Sequence, residues 1–203
     1  MPVGTYGTVK GLTPEHLHDI GFEIILGNAF HLHQRPGLET IKKFNGLHDF
    51  MGWNKSILTD SGGFQIWSLN DLRKITEEGV EFKSPLDGSK VFMSPENSID
   101  TQLTLNSDII MAFDECTDYP SSYEDAEQSM HLTHRWTERS FDYFQKHQKG
   151  HLLFGIVQGG MHEELRKQSL AYMNNLQLDG VALGGLSVGE PKKEKTKILK
   201  YLA

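Results

Sequence analysis

Ser56-Ile57-Leu58-Thr59-Asp60-Ser61-Gly62-Gly63-Phe64-Gln65 sets a short apolar run against a carboxylate, two adjacent glycines and an aromatic ring. An apolar run of this length, bounded by turn residues, predicts a strand covered on both faces with a polar loop at its tip. The glycines let backbone amides approach whatever Asp60 faces, because no Cβ stands in the way. Taken alone, the stretch Asp60-Ser61-Gly62-Gly63 also has an ordinary reading as a turn capped by an aspartate.

The same unit recurs along the chain. Ile24-Ile25-Leu26-Gly27-Asn28, Ile109-Ile110-Met111-Ala112-Phe113-Asp114-Glu115, Leu152-Leu153-Phe154-Gly155-Ile156-Val157-Gln158 and Val181-Ala182-Leu183-Gly184-Gly185 are apolar runs that end in small or polar residues, and all read as fully buried strands. Helical stretches lie between them. Thr13-Pro14-Glu15 and Ser94-Pro95-Glu96 each open a helix by the N-cap and proline rules, and Tyr123 to about His147 carries a long one. Alternating strand and helix predicts an α/β fold with a parallel sheet.

Two α/β architectures compete, the open doubly wound sheet and the (β/α)8 TIM barrel. A barrel gathers the loops after every strand at one face, whereas an open sheet works mainly at its switch point. Here all five strands end in polar or glycine-rich residues, which favours the barrel. With Met1 to Thr5 as a first strand, the chain supplies about six of the eight strands a barrel requires. It stops within a helical pattern at Lys200-Tyr201-Leu202-Ala203, so the expectation is a single incomplete barrel domain over 1–203. One stretch departs from the alternation: Gly79-Val80-Glu81-Phe82-Lys83 and Lys90-Val91-Phe92-Met93 flank the turn dipeptide Asp87-Gly88 and predict a β-hairpin over about 79–93, inserted after the third strand.

Composition narrows the partners. The 20 Lys and Arg against 27 Asp and Glu give a formal charge of −7, opposite in sign to the basic footprint of a nucleic-acid binder. Lys192, Lys193, Lys195, Lys197 and Lys200 crowd the last dozen residues and read as a solvated helix face. No apolar run reaches the roughly 18 residues of a membrane span, and Met1-Pro2-Val3-Gly4 lacks the features of a signal peptide, so a cytoplasmic protein without a membrane partner is expected. The single cysteine, Cys116, excludes an intrachain disulfide and a Cys-rich zinc site.

The strand tips carry complementary hydrogen-bonding groups. Asp114 ends a run so apolar that its carboxylate must sit at the barrel mouth or be paired, and an ionised carboxylate only accepts hydrogen bonds. Gln158 offers an amide N–H, and Gly185, in Gly184-Gly185-Leu186-Ser187, an approachable backbone N–H. With the face of Phe64, this set matches a guanine-like base: Asp114 on the N–H edge, Gln158 and Gly185 on the carbonyl, Phe64 stacked on the ring. Asp60 is left for chemistry. Each residue alone has a plainer reading, as a buried ion pair or a turn. His31-Leu32-His33 resembles the metal-binding pair of barrel hydrolases, with Asp60 or Asp114 to complete a site, against the simpler reading of loop or packing histidines. His131 and His134 read as surface or packing residues of the long helix.

Several segments, in order, closely resemble the queuine tRNA-ribosyltransferase family, the tRNA-guanine transglycosylases. They are Pro2-Val3-Gly4-Thr5-Tyr6-Gly7-Thr8-Val9-Lys10, Ile25-Leu26-Gly27-Asn28-Ala29-Phe30-His31-Leu32, Arg35-Pro36-Gly37, 58–65, Phe113-Asp114-Glu115-Cys116, Phe154-Gly155-Ile156-Val157-Gln158-Gly159 and Gly184-Gly185-Leu186-Ser187-Val188-Gly189-Glu190. The resemblance implies a TIM-barrel enzyme that exchanges guanine at the anticodon wobble position of tRNAs with GUN anticodons for a 7-deazaguanine base, in queuosine biosynthesis. It implies Asp60 as the general acid/base, and Ser61, Gly62, Gly63, Phe64, Asp114, Gln158, Gly184 and Gly185 around the base. The Leu186 carbonyl, with Glu190 near it, would receive a cationic 7-aminomethyl group. Cys116 and Val188 match the bacterial pattern, whose substrate is 7-aminomethyl-7-deazaguanine. Double displacement through a nucleophilic aspartate is implied, and that aspartate and the family's zinc motif lie beyond the segment ending in Glu190. No zinc is therefore expected in this chain, although the full-length family member binds it and acts as a homodimer. The alternatives are a non-catalytic partner subunit of the same family and a metal-dependent barrel hydrolase.

Overall fold

The structure, a computed structural model, describes residues 1–69 and 73–202. Its first half runs through α1 (Pro14–Ile20), β1 (Ile24–Gly27), α2 (Ala29–Leu32), α3 (Leu38–Lys42), α4 (Leu47–Met51), β2 (Ser56–Thr59), α5 (Gly63–Trp67), β3 (Arg73–Ile75), β4 (Val80–Lys83) and β5 (Lys90–Met93). There follow α6 (Pro95–Leu105), β6 (Ile109–Met111), α7 (Tyr123–His147), β7 (Leu152–Val157), α8 (Glu163–Asn175), β8 (Gly180–Leu183) and α9 (Lys192–Leu202). The expected helix starts hold. Thr13 caps α1 by accepting from the His16 N–H at 3.3 Å, Ser94 caps α6 from Asn97 at 3.2 Å, and a proline follows each cap.

The five apolar runs form one parallel sheet in the order β1-β2-β6-β7-β8. A doubly wound sheet reverses its strand order at a switch point. This sheet never reverses, and its singly wound order is that of an arc of a (β/α)8 barrel. The expected first strand is reduced to one parallel bridge, Val3 to Leu26, held by Gly4 N–H to Leu26 O at 2.7 Å and Leu26 N–H to Pro2 O at 2.9 Å. Pro2 has no N–H of its own to extend that ladder.

Alternation along the strands sorts side chains between two faces. On the outer face, Ile25 and Ile57 pack with Leu17, Leu32, Ile41, Leu47 and Trp53, while Ile110, Ala112 and Leu153 pack with Ile99 and Phe144. The inner face puts Leu26, Leu58, Met111, Phe154, Ile156, Val181 and Leu183 into one apolar groove. Here the expectation of strands covered on both sides needs correction, because Val181 is 39% and Leu183 36% exposed. Helices cover the outer face, and no described element lies over the inner one at β8.

The hairpin over 79–93 is present, with Val80 opposite Met93 and Phe82 opposite Val91, but it is part of a three-stranded antiparallel sheet to which β3 adds an edge. This small sheet is clamped to α7. Trp136 stacks on Phe113 with ring centroids 4.9 Å apart and donates its indole N–H to the Glu77 carbonyl at 2.8 Å. Arg139 forks onto Glu96 with two 2.8 Å bonds and also reaches the Glu77 and Glu78 carbonyls. No helix among the described residues is long and apolar enough to cross a membrane.

Candidate active site

Residues two apart on a strand share a face, so the inner apolar row leads directly to the polar tips. Asp60 follows Leu58, Gln158 follows Ile156 and Gly185 follows Leu183. Asp60, Ser61, Phe64, Asp114, Cys116, Gly184, Gly185 and Leu186 line one groove of about 430 Å3 with the inner-face residues. Phe64 stands at its mouth, 47% exposed, with one ring edge near Trp67.

The height of Asp114 is set from behind the sheet. The buried Gln102 amide donates to Met111 O and accepts from Met111 N–H, both at 2.8 Å, and its Oε1 also accepts from the Thr59 hydroxyl at 3.1 Å. One side chain thus fixes β6 against the end of β2. The loop after β2 then folds back onto Asp114, where a Cβ on Gly63 would lie 2.5 Å from the Asp114 carbonyl oxygen and 2.6 Å from its Oδ1. Only glycine permits that approach.

Asp114 is buried, and its carboxylate is held by neutral donors only: Ser61 Oγ to Oδ1 at 2.9 Å and Gln158 Nε2 to Oδ2 at 2.8 Å. Burial pushes its pKa up and these two bonds pull it back, leaving it above the ordinary value. The Gln158 amide nitrogen carries a second N–H, and its buried Oε1 has no partner. Asp60 is half-buried and accepts from the Asn28 amide, from Ala29 N–H at 2.9 Å and from Gln65 Nε2 at 3.1 Å. Burial raises its pKa to about 6, the donors oppose the shift and the charge of Asp114 adds to it. A carboxyl at that value exchanges its proton near neutrality, as a general acid or base must.

The other expected residues divide. Burial pushes the Cys116 thiol up to about 12, so it stays protonated and serves as a small apolar wall rather than a nucleophile. Val188 lies off the groove, in a neighbouring cavity of about 200 Å3 with Gly185, Tyr119 and His162. Glu190 accepts from the backbone N–H groups of Ser187 at 2.5 Å and Val188 at 2.8 Å and so shapes the loop that carries Leu186. Burial would raise its carboxyl, and these amide bonds, with the Lys195 charge, hold it below its usual range. His31 packs edge-on against Tyr6 and Phe30, and His33 sits 3.5 Å from the Thr101 hydroxyl. Among the described residues no three His, Cys, Asp or Glu side chains converge on one metal position. His134 is a packing residue, stacked on Tyr172 at 4.0 Å and bonded to Ser169.

The supporting residues missed in the sequence include Asn28, Gln102 and Arg166. Arg166 is fully buried in α8 and donates to four backbone carbonyls: Gly160 at 2.8 Å, Val157 and Gly184 at 2.7 Å, and Gly185 at 3.3 Å. Helical spacing held the signal, since Arg166, Ser169 and Met173 fall on one face and all are buried.

The whole chain, residues 1–203, matches the family model described as queuine tRNA-ribosyltransferase. It is 60% identical over 202 residues to the queuine tRNA-ribosyltransferase of Psychrobacter sp. (strain PRwf-1), a match that covers all of this chain and 53% of that protein. It is 59% identical to the protein of the same name from Dechloromonas aromatica (strain RCB), covering 55% of it, and 59% identical to that of Acinetobacter baumannii (strain ACICU), covering 54%. The chain spans about half the length of the curated relatives it matches. With the family model matched from end to end, the chain belongs to the queuine tRNA-ribosyltransferase family.

Proposed function

We propose that this chain forms the guanine-binding part of a tRNA-guanine transglycosylase. The observation that carries the reading is Asp114, a buried carboxylate that has two neutral donors and no cation among the described residues and opens on a groove with a Gly185 N–H that has no acceptor among them. Such a carboxylate accepts from the adjacent N–H groups of guanine's pyrimidine edge. The Gly185 N–H and the second Gln158 N–H then meet the base carbonyl, and Phe64 stacks on the ring. Asp60, at the same rim, holds or releases the proton that the base gains or loses on leaving and re-entering the ribose.

The reaction that fits is double displacement at the wobble position of tRNAs with GUN anticodons, with 7-aminomethyl-7-deazaguanine as the incoming base. In this reading the Leu186 carbonyl, on the loop that Glu190 holds, meets the aminomethyl cation, and the nucleophilic aspartate comes from outside these 203 residues, from a longer protein that acts as a homodimer. A thiolate-rich zinc site does not fit the donors present, because the one cysteine is buried and protonated, so no zinc ligand is assigned here.

Calorimetric titration of the 203-residue chain with guanine tests the pocket, and labelled guanine exchange into tRNA tests the division of labour. The chain is expected to bind guanine and to exchange none, while a full-length protein containing it does both. Absence of guanine binding by both proteins would remove the pocket reading. Robust exchange by the chain alone would remove the external nucleophile.

A further inference from the structure

Arg166 ranks with Trp53 and Trp136 among the largest fully buried side chains, and every acceptor it holds is a backbone carbonyl. Burying a guanidinium is costly unless its N–H groups are filled, and an apolar side chain of similar volume often serves packing as well or better. Packing alone therefore does not account for it. Although burial lowers its pKa to about 10, it remains a cation at neutral pH.

What the cation grips is specific. Its Nη1 binds the Val157 carbonyl, one residue before Gln158, and the Gly184 carbonyl, both at 2.7 Å. The Gly184 carbonyl and the Gly185 N–H belong to one planar, conjugated amide. A charge-assisted bond at the oxygen draws electron density from the nitrogen and strengthens its N–H as a donor. That N–H has no protein acceptor among the described residues, and Gly185 lines the groove. The left-handed φ of +60° at Gly185 carries its own carbonyl back to Arg166 at 3.3 Å.

We propose that Arg166 is a positioning residue for purine recognition: it fixes and polarises the Gly184–Gly185 peptide so that the Gly185 N–H meets the ring carbonyl of the base. The inference rests on the guanine-pocket reading and deepens it. Arg166 touches no ligand itself; it acts through that peptide and, by holding Val157, sets the spacing between the Gln158 and Gly185 donors.

The test compares two bases on the 203-residue chain and its Arg166→Lys and Arg166→Met variants by calorimetric titration. Guanine presents the ring carbonyl oxygen; 6-thioguanine keeps the N1–H and the exocyclic amine for Asp114 but puts a weakly accepting sulfur in place of that oxygen. Both variants are expected to lose about tenfold or more in guanine affinity, while 6-thioguanine affinity changes by less than about twofold. Equal losses for the two bases mark a merely structural role and overturn the proposal, as does no loss for either. Absence of guanine binding by both the native chain and a full-length protein containing it removes the pocket reading, and this inference falls with it. Should neither variant fold, the Gly185 amide resonance of the native chain decides: it moves downfield with guanine and less with 6-thioguanine, and an unmoved resonance overturns the proposal.

Discussion

At the rim of the parallel sheet, Asp60 and Asp114 are held by Asn28, Gln65, Ser61 and Gln158, all neutral, and burial leaves both carboxyls above their ordinary pKa. Beside α7 the reverse holds. The Arg135 fork draws Glu77 down, and Arg139 draws Glu96 down against the partial burial that would raise it. Charge beside α7 is consumed within the molecule, tying the three-stranded sheet to the helix. At the rim it is left for something that arrives from outside.

The largest effect that would break this contrast is at Asp114. Asp114→Asn puts a donor where the base presents donors, and guanine affinity is expected to fall roughly hundredfold or more, read by calorimetry. Retained affinity would mean that the carboxylate is not the reader. Asp60→Asn sharpens the contrast through pH. A carboxyl whose folded pKa is about 6, against 3.8 unfolded, burdens the folded state once ionised, so its penalty is absent below about pH 4 and complete above about pH 6. Native stability should therefore fall relative to the variant across that window, by about 1–2 kcal/mol after allowance for partial exposure, as measured by urea unfolding at each pH. A parallel pair of curves would contradict the raised pKa.

Beside α7, Arg139→Met removes a fork from Glu96 and two carbonyl contacts, with an expected loss of about 1 kcal/mol in urea unfolding and unchanged guanine affinity. A loss of guanine affinity would show that the two regions are coupled. The smallest effect is at the exposed Glu39–Lys42 pair, where Glu39→Gln should leave the thermal midpoint unmoved.

Local rules made much of this legible. Short apolar runs with polar or glycine-rich ends located Asp60, Asp114, Gln158 and Gly185, and the structure brings all four to one end of one sheet. Capping patterns placed the starts of α1 and α6, and α7 occupies the Tyr123 to His147 stretch read as helical. What escaped depends on contacts distant in sequence. Arg73–Ile75 has no alternation of its own and becomes a strand because Val80–Phe82 offers it a free edge. Arg166 stands between Glu163-Glu164-Leu165 and Lys167, a charged stretch as on a solvated helix, yet it is buried because four carbonyls from two strand tips converge there. Asn28 read as the end of an apolar run, and its partnership with Asp60 exists only because β1 and β2 pair in register from Ile24 and Ser56.

The contact at Gly63 sets a boundary for redesign. A Cβ there would meet the Asp114 carboxylate, and one on Gly184 would come within 2.7 Å of the Gln158 amide nitrogen. Libraries randomised at these two positions should return mostly clones that bind no base at all. Diversity is better spent on Phe64 and Cys116, side chains that face the groove without supporting its floor, where a changed shape can alter which base enters while the reading edge stays intact.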